Sequence, residues 1–240
     1  MKPFLDRYIS THLLKARRYI GRMVKNSHIK SYSQEGEDMI LRRIFEGRKE
    51  GFYVDVGAYH PILHSNTYFF YRMGWRGINI EPNTEYIRLF HQYRARDINL
   101  PIGVSDVSTN LKYYMFNEPA LNTFEEDIAK RPTRNEKQYY PTGETAIKVQ
   151  RLETILQEHL PENRKIDFIS VDVEGHEFKV IRSNDWKMFR PRCLLVEVLD
   201  SNLEEIIRSE LHRFMSEVDY TLNAKTANTI FYLDNNICGN

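Results

Sequence analysis

Four titratable side chains lie within six residues, directly after the apolar stretch 166–171. They are Asp172, Glu174, His176 and Glu177, and Gly175 between them allows a tight turn into the next element. A hydroxyl group becomes a useful nucleophile once a nearby base removes its proton, and a carboxylate or a near-neutral imidazole can do this. We therefore expect Asp172, Glu174 and His176 to be catalytic, with His176 favoured as the base.

A divalent cation is the rival explanation of this acidic stretch. Asp172 and a neighbouring carboxylate could hold the ion, which would acidify the hydroxyl in place of a protein base. The sequence leaves both alternatives open. It shows neither a CxxC nor a Cys/His zinc spacing. We predict no metal site.

A second motif, VDVGAYHP, ends the first predicted strand at residues 54–61. A strand that ends in Asp55, Gly57 and Ala58 lets a ligand approach the backbone at the carboxyl edge of a sheet. A dinucleotide site needs GxGxxG, whereas here one glycine is followed by Tyr59 and His60. A ligand without phosphate, such as S-adenosylmethionine, fits this turn better than NAD.

Two further strand ends carry acids. Glu81, followed by Pro82, ends the second predicted strand, where a carboxylate can accept both ribose hydroxyls of an adenosine. Ser105 and Asp106 follow the third strand, and Asp106 is the candidate for the adenine amino group. The Ser-Asp pair is also common in ordinary turns.

The segment after the VDVGAYHP motif contributes the candidate acceptor contacts. Ser65, Asn66 and Thr67 precede a predicted helix, so they can cap it or touch the methionine end of the cofactor or the acceptor. We place these three residues, together with His60, among the substrate-binding candidates.

Short apolar runs alternate with helical patterns along the chain, which is typical of a parallel sheet covered on both faces. The predicted strands are 52–56, 77–81, 98–103, 166–172, 193–198, 219–223 and 229–233. The predicted helices are 37–45, 65–73, 84–94, 152–159, 176–188 and 202–217. Five βα units followed by a hairpin predict a Rossmann-like class I methyltransferase fold, with a mostly parallel seven-stranded sheet and a C-terminal antiparallel hairpin.

The domain organisation is predicted from the distribution of charge and from the alternation of strands and helices. Residues 1–30 hold eight Lys and Arg against one acid, whereas the rest has 26 basic and 32 acidic residues. We predict a basic helical appendage at 1–30 and a single domain at 31–240. A lid-like insertion is expected around 105–150, with strand candidates KYYMF and AIKVQ. The acidic body argues against a nucleic-acid partner.

The chain resembles the FkbM family of S-adenosylmethionine-dependent methyltransferases. The resemblance rests on SYSQEGED, FYVDVGAYHP, SNT, GWRGINIEPN and IDFISVDVEGHEF, which together span about residues 31–200. It implies O-methylation of a sugar or natural-product hydroxyl. It also implies that Asp55, Gly57 and Ala58 form the cofactor turn, that Glu81 is the ribose acid, and that Asp172, Glu174 and Gly175 form the motif after the fourth strand.

The leading hypothesis is an O-methyltransferase that acts on a sugar hydroxyl in a surface glycan or its precursor. The alternatives are a small-molecule O-methyltransferase and a Rossmann-like domain that binds without catalysis. The expected location is the cytoplasm. Residues 1–25 are predicted to form a basic helix that contacts the inner face of a membrane or a partner, or else packs on its own domain or on a dimer mate. A homodimer is among the expected assemblies.

Overall fold

The computed structural model describes residues 30–131 and 138–236, and the compact unit considered below is Tyr32–Asn240. The predictions for residues 1–25 and most of the appendage 1–30 lie outside the described residues. The strands are β1 (Phe52–Val56), β2 (Arg76–Ile80), β3 (Ile98–Leu100), β4 (Gly103–Val104), β5 (Thr109–Phe116), β6 (Pro141–Gln150), β7 (Phe168–Val171), β8 (Cys193–Glu197), β9 (Tyr220–Lys225) and β10 (Thr229–Asp234).

Helices connect most of these strands. In chain order the α-helices are α1 (Glu37–Ile44), α2 (Tyr68–Arg72), α3 (Thr84–Tyr93), α4 (Glu126–Ala129), α5 (Leu152–His159), α6 (Glu177–Arg182), α7 (Leu203–Arg208) and α8 (Glu210–Glu217). A single 3₁₀ turn, Pro119–Leu121, follows β5. Within the described part of the chain, no helix is long and apolar enough to cross a membrane.

Seven strands form the main sheet in the order β3-β2-β1-β7-β8-β10-β9. The first five run parallel to their neighbours, whereas β10 is antiparallel to both β8 and β9. The predicted fold, a mostly parallel seven-stranded sheet with a C-terminal antiparallel hairpin, is therefore confirmed.

Two apolar clusters cover the two faces of this sheet. One contains Val54 and Val56 of β1 with Ile155 of α5, and the other contains Tyr53 of β1 with Leu41 of α1. Successive side chains of a strand point to opposite faces, so β1 contributes to both clusters. This confirms that helices lie on both faces, and it explains why the strands are apolar at nearly every position.

Two elements that the sequence predicts as continuous are each split into two, in both cases at a residue that changes the hydrogen bonding of the backbone. The strand predicted at 98–103 breaks at Pro101, which lacks a backbone N–H, so β3 stays in the main sheet while β4 pairs with β6. The helix predicted at 202–217 is two helices, because Ser209 is extended and its hydroxyl caps α8 by accepting from the backbone N–H of His212.

The segment around 105–150 forms a second, three-stranded sheet in the order β4-β6-β5. Strands β5 and β6 pair antiparallel along most of their length, and they contain the predicted candidates KYYMF and AIKVQ. The small sheet is joined to the end of the main sheet through β4, so the residues of β5 and the 3₁₀ turn are brought to the carboxyl edge of β1 and β2. We refer to residues 105–150 as the insertion.

Candidate functional site

A cavity opens at the carboxyl ends of β1, β2 and β7, and about 780 Å³ of space lies within it and its mouth. We call it the large cavity. Its walls come from the main sheet and from the insertion. The lining residues are Gln34, Val56, Gly57, Tyr59, His64, Ile80, Glu81, Pro82, Ile102, Gly103, Val104, Tyr113, Pro119, Ala120, Asn122, Phe124, Asp172, Val173 and Glu174.

Gly57 fixes the floor of the large cavity. Its φ of 78° lies in the left-handed region, and a Cβ built there would lie 1.6 Å from the carbonyl oxygen of Asp172. The backbone N–H of Asp172 donates to the carbonyl of Val56 at 3.0 Å. The ends of β1 and β7 are therefore in direct backbone contact, and only glycine permits this approach.

Glu81 is buried in the wall of the large cavity, with 5% of its surface exposed. Its Oε1 accepts from the backbone N–H of Asn83 at 2.7 Å, and its Oε2 accepts from that of Tyr59 at 2.9 Å. Burial raises the pKa of Glu81 to about 7, although the two backbone donors partly oppose this. The carboxylate is thus oriented before any ligand arrives.

Three carboxyl groups come together beside Gly57. Asp172, Glu174 and Glu197 each place an oxygen within 4.8 Å of the others; we call them the acid cluster. Burial is the main cause that raises the pKa of all three, to about 7 for Asp172 and about 8 for Glu174. A hydrogen bond with Glu197 partly opposes the rise at Asp172, whereas repulsion by Asp172 adds to it at Glu174 and Glu197. Such a group can share protons or hold a divalent cation.

A smaller space, the polar cavity of about 290 Å³, adjoins the large one. The two share Gln34, His64 and Asp172. Every lining residue of the polar cavity is polar: Gln34, Glu35, Glu37, His64, Asn66, Asp172, Glu197, Asn228 and Thr229.

The walls of the polar cavity are held by hydrogen bonds between distant segments. The Glu35 carboxylate accepts from the backbone N–H and the side-chain amide of Asn228 at 2.8 and 2.7 Å. The hydroxyls of Thr226 and Thr229 donate to Glu37 at 3.2 and 3.3 Å. The turn before α1 is thereby joined to the β9–β10 hairpin, and it carries Gln34 to the border of the two cavities.

The structure places six of the predicted residues on the large cavity: Gly57, Tyr59, Glu81, Pro82, Asp172 and Glu174. Asn66 lines the polar cavity and donates to the Ser170 hydroxyl at 3.0 Å. Ala58 is buried behind the turn, where its backbone N–H donates to the carbonyl of Ile80.

Asp55 differs from the expectation, because its side chain points away from the large cavity. It alternates with Val54 and Val56, and its Oδ2 accepts from the buried Thr67 hydroxyl at 2.7 Å. Burial raises the pKa of Asp55 to about 6. The Arg94 guanidinium, itself fully buried, donates to Thr67 at 3.0 Å and to the Pro61 carbonyl at 3.1 Å. This network supports the loop after β1 from behind.

His60 and Ser65 also act on the backbone. The His60 Nδ1 accepts from the N–H groups of Ile62 and Leu63 at 3.1 and 3.0 Å, which closes a turn. The Ser65 hydroxyl accepts from the backbone N–H of Tyr68, the first residue of α2, at 3.1 Å. Of the four predicted acceptor contacts, Asn66 alone therefore lines one of the two described cavities.

Ser105, Asp106 and His176, which the sequence predicted at the site, lie outside the two cavities. His176 is 2% exposed and lines neither cavity; its Nδ1 contacts Glu125 at 2.5 Å and its Nε2 contacts the Ser105 hydroxyl at 2.9 Å. Burial lowers its pKa. Asp106 lies outside both cavities, and its carbonyl accepts from Arg151 at 2.8 Å. With both ring nitrogens engaged, His176 is not placed to take a proton from an acceptor.

Several lining residues were missed from the sequence. Tyr113, Asn122 and Phe124 come from the insertion, Gln34 precedes α1, and Glu197 ends β8. Glu197 carried a usable signal, since it is an acid at the carboxyl end of an apolar parallel strand. The others reach the site only through pairings between segments that are distant in sequence.

Residues 55–222 match the family model described as the methyltransferase FkbM domain. A search of curated proteins finds no match.

Two solved structures are similar over most of the chain. One is the C-terminal domain of precorrin-6Y C5,15-methyltransferase from Rhodobacter capsulatus, with 10% identity, a TM-score of 0.40, and coverage of 85% of this chain and 91% of that one. The other is the 1,6-didemethyltoxoflavin-N1-methyltransferase from Burkholderia thailandensis, bound to 1,6-didemethyltoxoflavin and S-adenosylhomocysteine. It has 12% identity, a TM-score of 0.40, and coverage of 92% and 83%.

Proposed function

The chain belongs to the FkbM methyltransferase domain family, and from this premise we propose that it transfers a methyl group from S-adenosylmethionine to a sugar hydroxyl, in a surface glycan or its precursor. That the chain is a methyltransferase that uses S-adenosylmethionine follows from the family. The acceptor and the roles of individual residues are proposed from the two cavities.

Two observations support the large cavity as the site of S-adenosylmethionine. None of the described residues that line it is Lys or Arg, so it offers no cation for a pyrophosphate, whereas Asp172 and Glu174 favour a cationic ligand. We assign the ribose hydroxyls to Glu81, whose carboxylate is held by two backbone donors. Gly57 and Tyr59 would supply the close backbone wall. The cofactor contributes an electrophilic methyl group on a sulfonium sulfur.

The proposal that the acceptor is a sugar rests on the polar cavity. All nine of its lining residues are polar, and it adjoins the large cavity at Asp172. A hydroxyl-rich ring can form hydrogen bonds with such a lining in place of the water that it displaces, whereas an apolar aromatic ring would displace that water without replacing its hydrogen bonds. This observation favours a sugar over an apolar natural product.

Asp172 is the residue that we propose as the general base. It lines both cavities, so it lies where a methyl donor in one meets a hydroxyl in the other. A pKa of about 7 is close to the value at which a base is both ionised and able to accept a proton near neutral pH. As the acceptor oxygen bonds to the methyl carbon, the methyl–sulfur bond breaks, S-adenosylhomocysteine is left, and Asp172 accepts the hydroxyl proton. A hydrogen bond with Glu197 lowers the pKa of Asp172 and so favours its ionised form.

The test is methyl transfer to glycans. Surface glycans extracted from cells without the active enzyme are incubated with the protein and isotope-labelled S-adenosylmethionine, and O-methyl sugars are sought by mass spectrometry after hydrolysis. We expect label on a sugar oxygen with the native protein and none with Asp172→Asn. Label on an apolar aromatic alcohol, with glycans unmodified, would favour the small-molecule alternative. A protein that binds no S-adenosylmethionine by calorimetry would contradict catalysis altogether.

A further inference from the structure

We propose that His176 is a positioning residue that holds the insertion against the large cavity and thereby sets the affinity for S-adenosylmethionine. This inference rests on the proposed function of the large cavity, and it replaces the catalytic role that the sequence suggested for His176. It assigns to a buried side chain outside both cavities an effect on cofactor binding and not on proton transfer.

The first step is the hydrogen bonding of the imidazole ring. Burial raises the pKa of Glu125, but bonds from Lys179 and His176 outweigh it, so the pKa is lowered and the group is an anion. An anion accepts, and the His176 Nδ1 must therefore carry the proton and donate to Glu125. The His176 Nε2 lies 2.9 Å from the Ser105 hydroxyl, so the second ring nitrogen is hydrogen bonded as well. Both ring nitrogens therefore have a partner on a different segment of the chain.

The second step is that Ser105, Glu125 and His176 are each adjacent in sequence to residues that line the large cavity. Ser105 directly follows Gly103 and Val104, which line the large cavity. Glu125 directly follows Phe124, another lining residue, whose ring lies 5.6 Å from that of His176. His176 itself follows the lining residue Glu174 by two positions. One imidazole ring thus joins three separate segments of the cavity wall.

Two neighbouring contacts strengthen the same junction. The Thr123 hydroxyl donates to the carbonyl of Glu174 at 2.8 Å, and the Lys179 ammonium donates to Glu125 at 2.6 Å. A Cβ on Gly175 would lie 2.0 Å from the side chain of Ile128, so the insertion packs directly on this turn. The insertion wall is held in place by contacts with residues 174–179.

The expected consequence separates binding from turnover. Without the ring, Glu125 and Ser105 lose their shared partner, and Phe124 and Val104 are no longer fixed relative to Glu174. Asp172 and the polar cavity have no direct bond to His176. His176→Ala should weaken S-adenosylmethionine binding roughly 10- to 100-fold, the effect of a buried hydrogen bond to a charged group, and leave kcat at saturating cofactor within about threefold of the native value.

The experiment measures S-adenosylmethionine binding by calorimetry and then KM and kcat in the methyl-transfer assay. His176→Gln retains one donor and one acceptor, so it should recover most of the lost affinity. Glu125→Ala, at a half-buried position, should weaken binding in the same way, and its effect should not add to that of His176→Ala. His91→Ala, at an exposed position of α3, is the matched control and should bind as the native protein does.

The outcomes are distinct. Failure of the native protein to bind S-adenosylmethionine refutes the proposed function before any variant is tested. If the native protein binds, and His176→Ala binds equally well while kcat falls, His176 is a base and the positioning role is wrong. Additive losses in the double variant of His176 and Glu125 would also overturn it, because the two residues would then act separately. Should His176→Ala fail to fold, Glu125→Ala and His176→Gln give the same decision.

Discussion

Replacement of Glu81 by glutamine tests the proposed ribose contact with almost no change of shape. The carboxylate is held by backbone donors at 2.7 and 2.9 Å, so in the native protein it is fixed in one orientation in the cavity wall. Glutamine keeps one acceptor, loses the charge, and turns an N–H group toward one of those donors. The change should therefore weaken a cofactor that donates two hydroxyl hydrogens.

The magnitude follows from the number of charged hydrogen bonds lost. A bond to a charged group contributes about 1.5–3 kcal/mol and a neutral one about 1 kcal/mol. Losing one charged bond and weakening the other costs about 2–4 kcal/mol, roughly a 30- to 1,000-fold rise in Kd at pH 8. Glu85→Gln, an exposed acid in the first turn of the same helix, is the control and should leave Kd unchanged.

The pH dependence gives an independent check on the same residue. Burial raises the pKa of Glu81 from 4.5 to about 7, so the carboxylate is mostly ionised at pH 8 and mostly protonated at pH 6. Since the ionised form accepts the hydroxyl hydrogens, native affinity should fall about tenfold more than that of Glu81→Gln between pH 8 and pH 6. Affinities are measured by titration calorimetry for both proteins. Because the amino group of the cofactor titrates in the same way with each protein, its contribution to the pH dependence cancels when the two profiles are compared. Equal affinities at pH 8, or parallel pH profiles, would refute the ribose assignment.

Gly57→Ala should destabilise the protein by at least about 1–2 kcal/mol from the left-handed backbone alone, and more through the contact with Asp172; Gly143→Ala, where a Cβ meets only Met115 at 3.5 Å, is the control in urea unfolding. Arg94→Ala should lower the free energy of unfolding by about 3–5 kcal/mol, because the buried Asp97 carboxylate loses its cationic partner. Exposed Arg88→Ala is the control and should not lower it. Equal melting temperatures of the two variants would contradict this. The methylation rate should rise with pH through about 7, as Asp172 ionises, and this rise should vanish in Asp172→Asn. Turnover should persist in EDTA; a loss that magnesium reverses would instead identify the acid cluster as a cation site.

Much of the fold could be predicted from local pattern. Alternating apolar runs and helical stretches specify a parallel sheet, and the missing helix between the last two strands specifies the hairpin. The errors lie where single residues act on the backbone. Pro101 removes a donor and sends β4 to another sheet, while Ser209 caps a second helix inside one predicted helix. Neither effect changes the periodicity from which the elements were predicted.

The site residues at the ends of parallel strands could be predicted from the sequence, whereas the contacts between segments distant in sequence could not. The carboxyl ends of parallel strands meet at one edge, so Gly57, Glu81 and Asp172 could be placed together without a structure. Whether a side chain at such an end faces the ligand depends on the two-residue alternation, which turned Asp55 toward Thr67 instead. The partners of His176 lie 51 and 71 residues away, at Glu125 and Ser105, and no local pattern links them.

The acid cluster is hard to explain as part of the scaffold. Burial raises the pKa of all three carboxyl groups, so each resists ionisation, and holding them ionised in the folded protein at neutral pH costs free energy. The structure could have avoided this with apolar residues, as it does elsewhere along β7 and β8. Instead, the backbone contact at Gly57 fixes Asp172 at the border of the two cavities. A destabilising group held in place by a costly turn is expected where chemistry requires it. The cluster is therefore a stronger indication of function than the buried acid Asp55, which accepts a hydrogen bond from Thr67 and lines neither cavity.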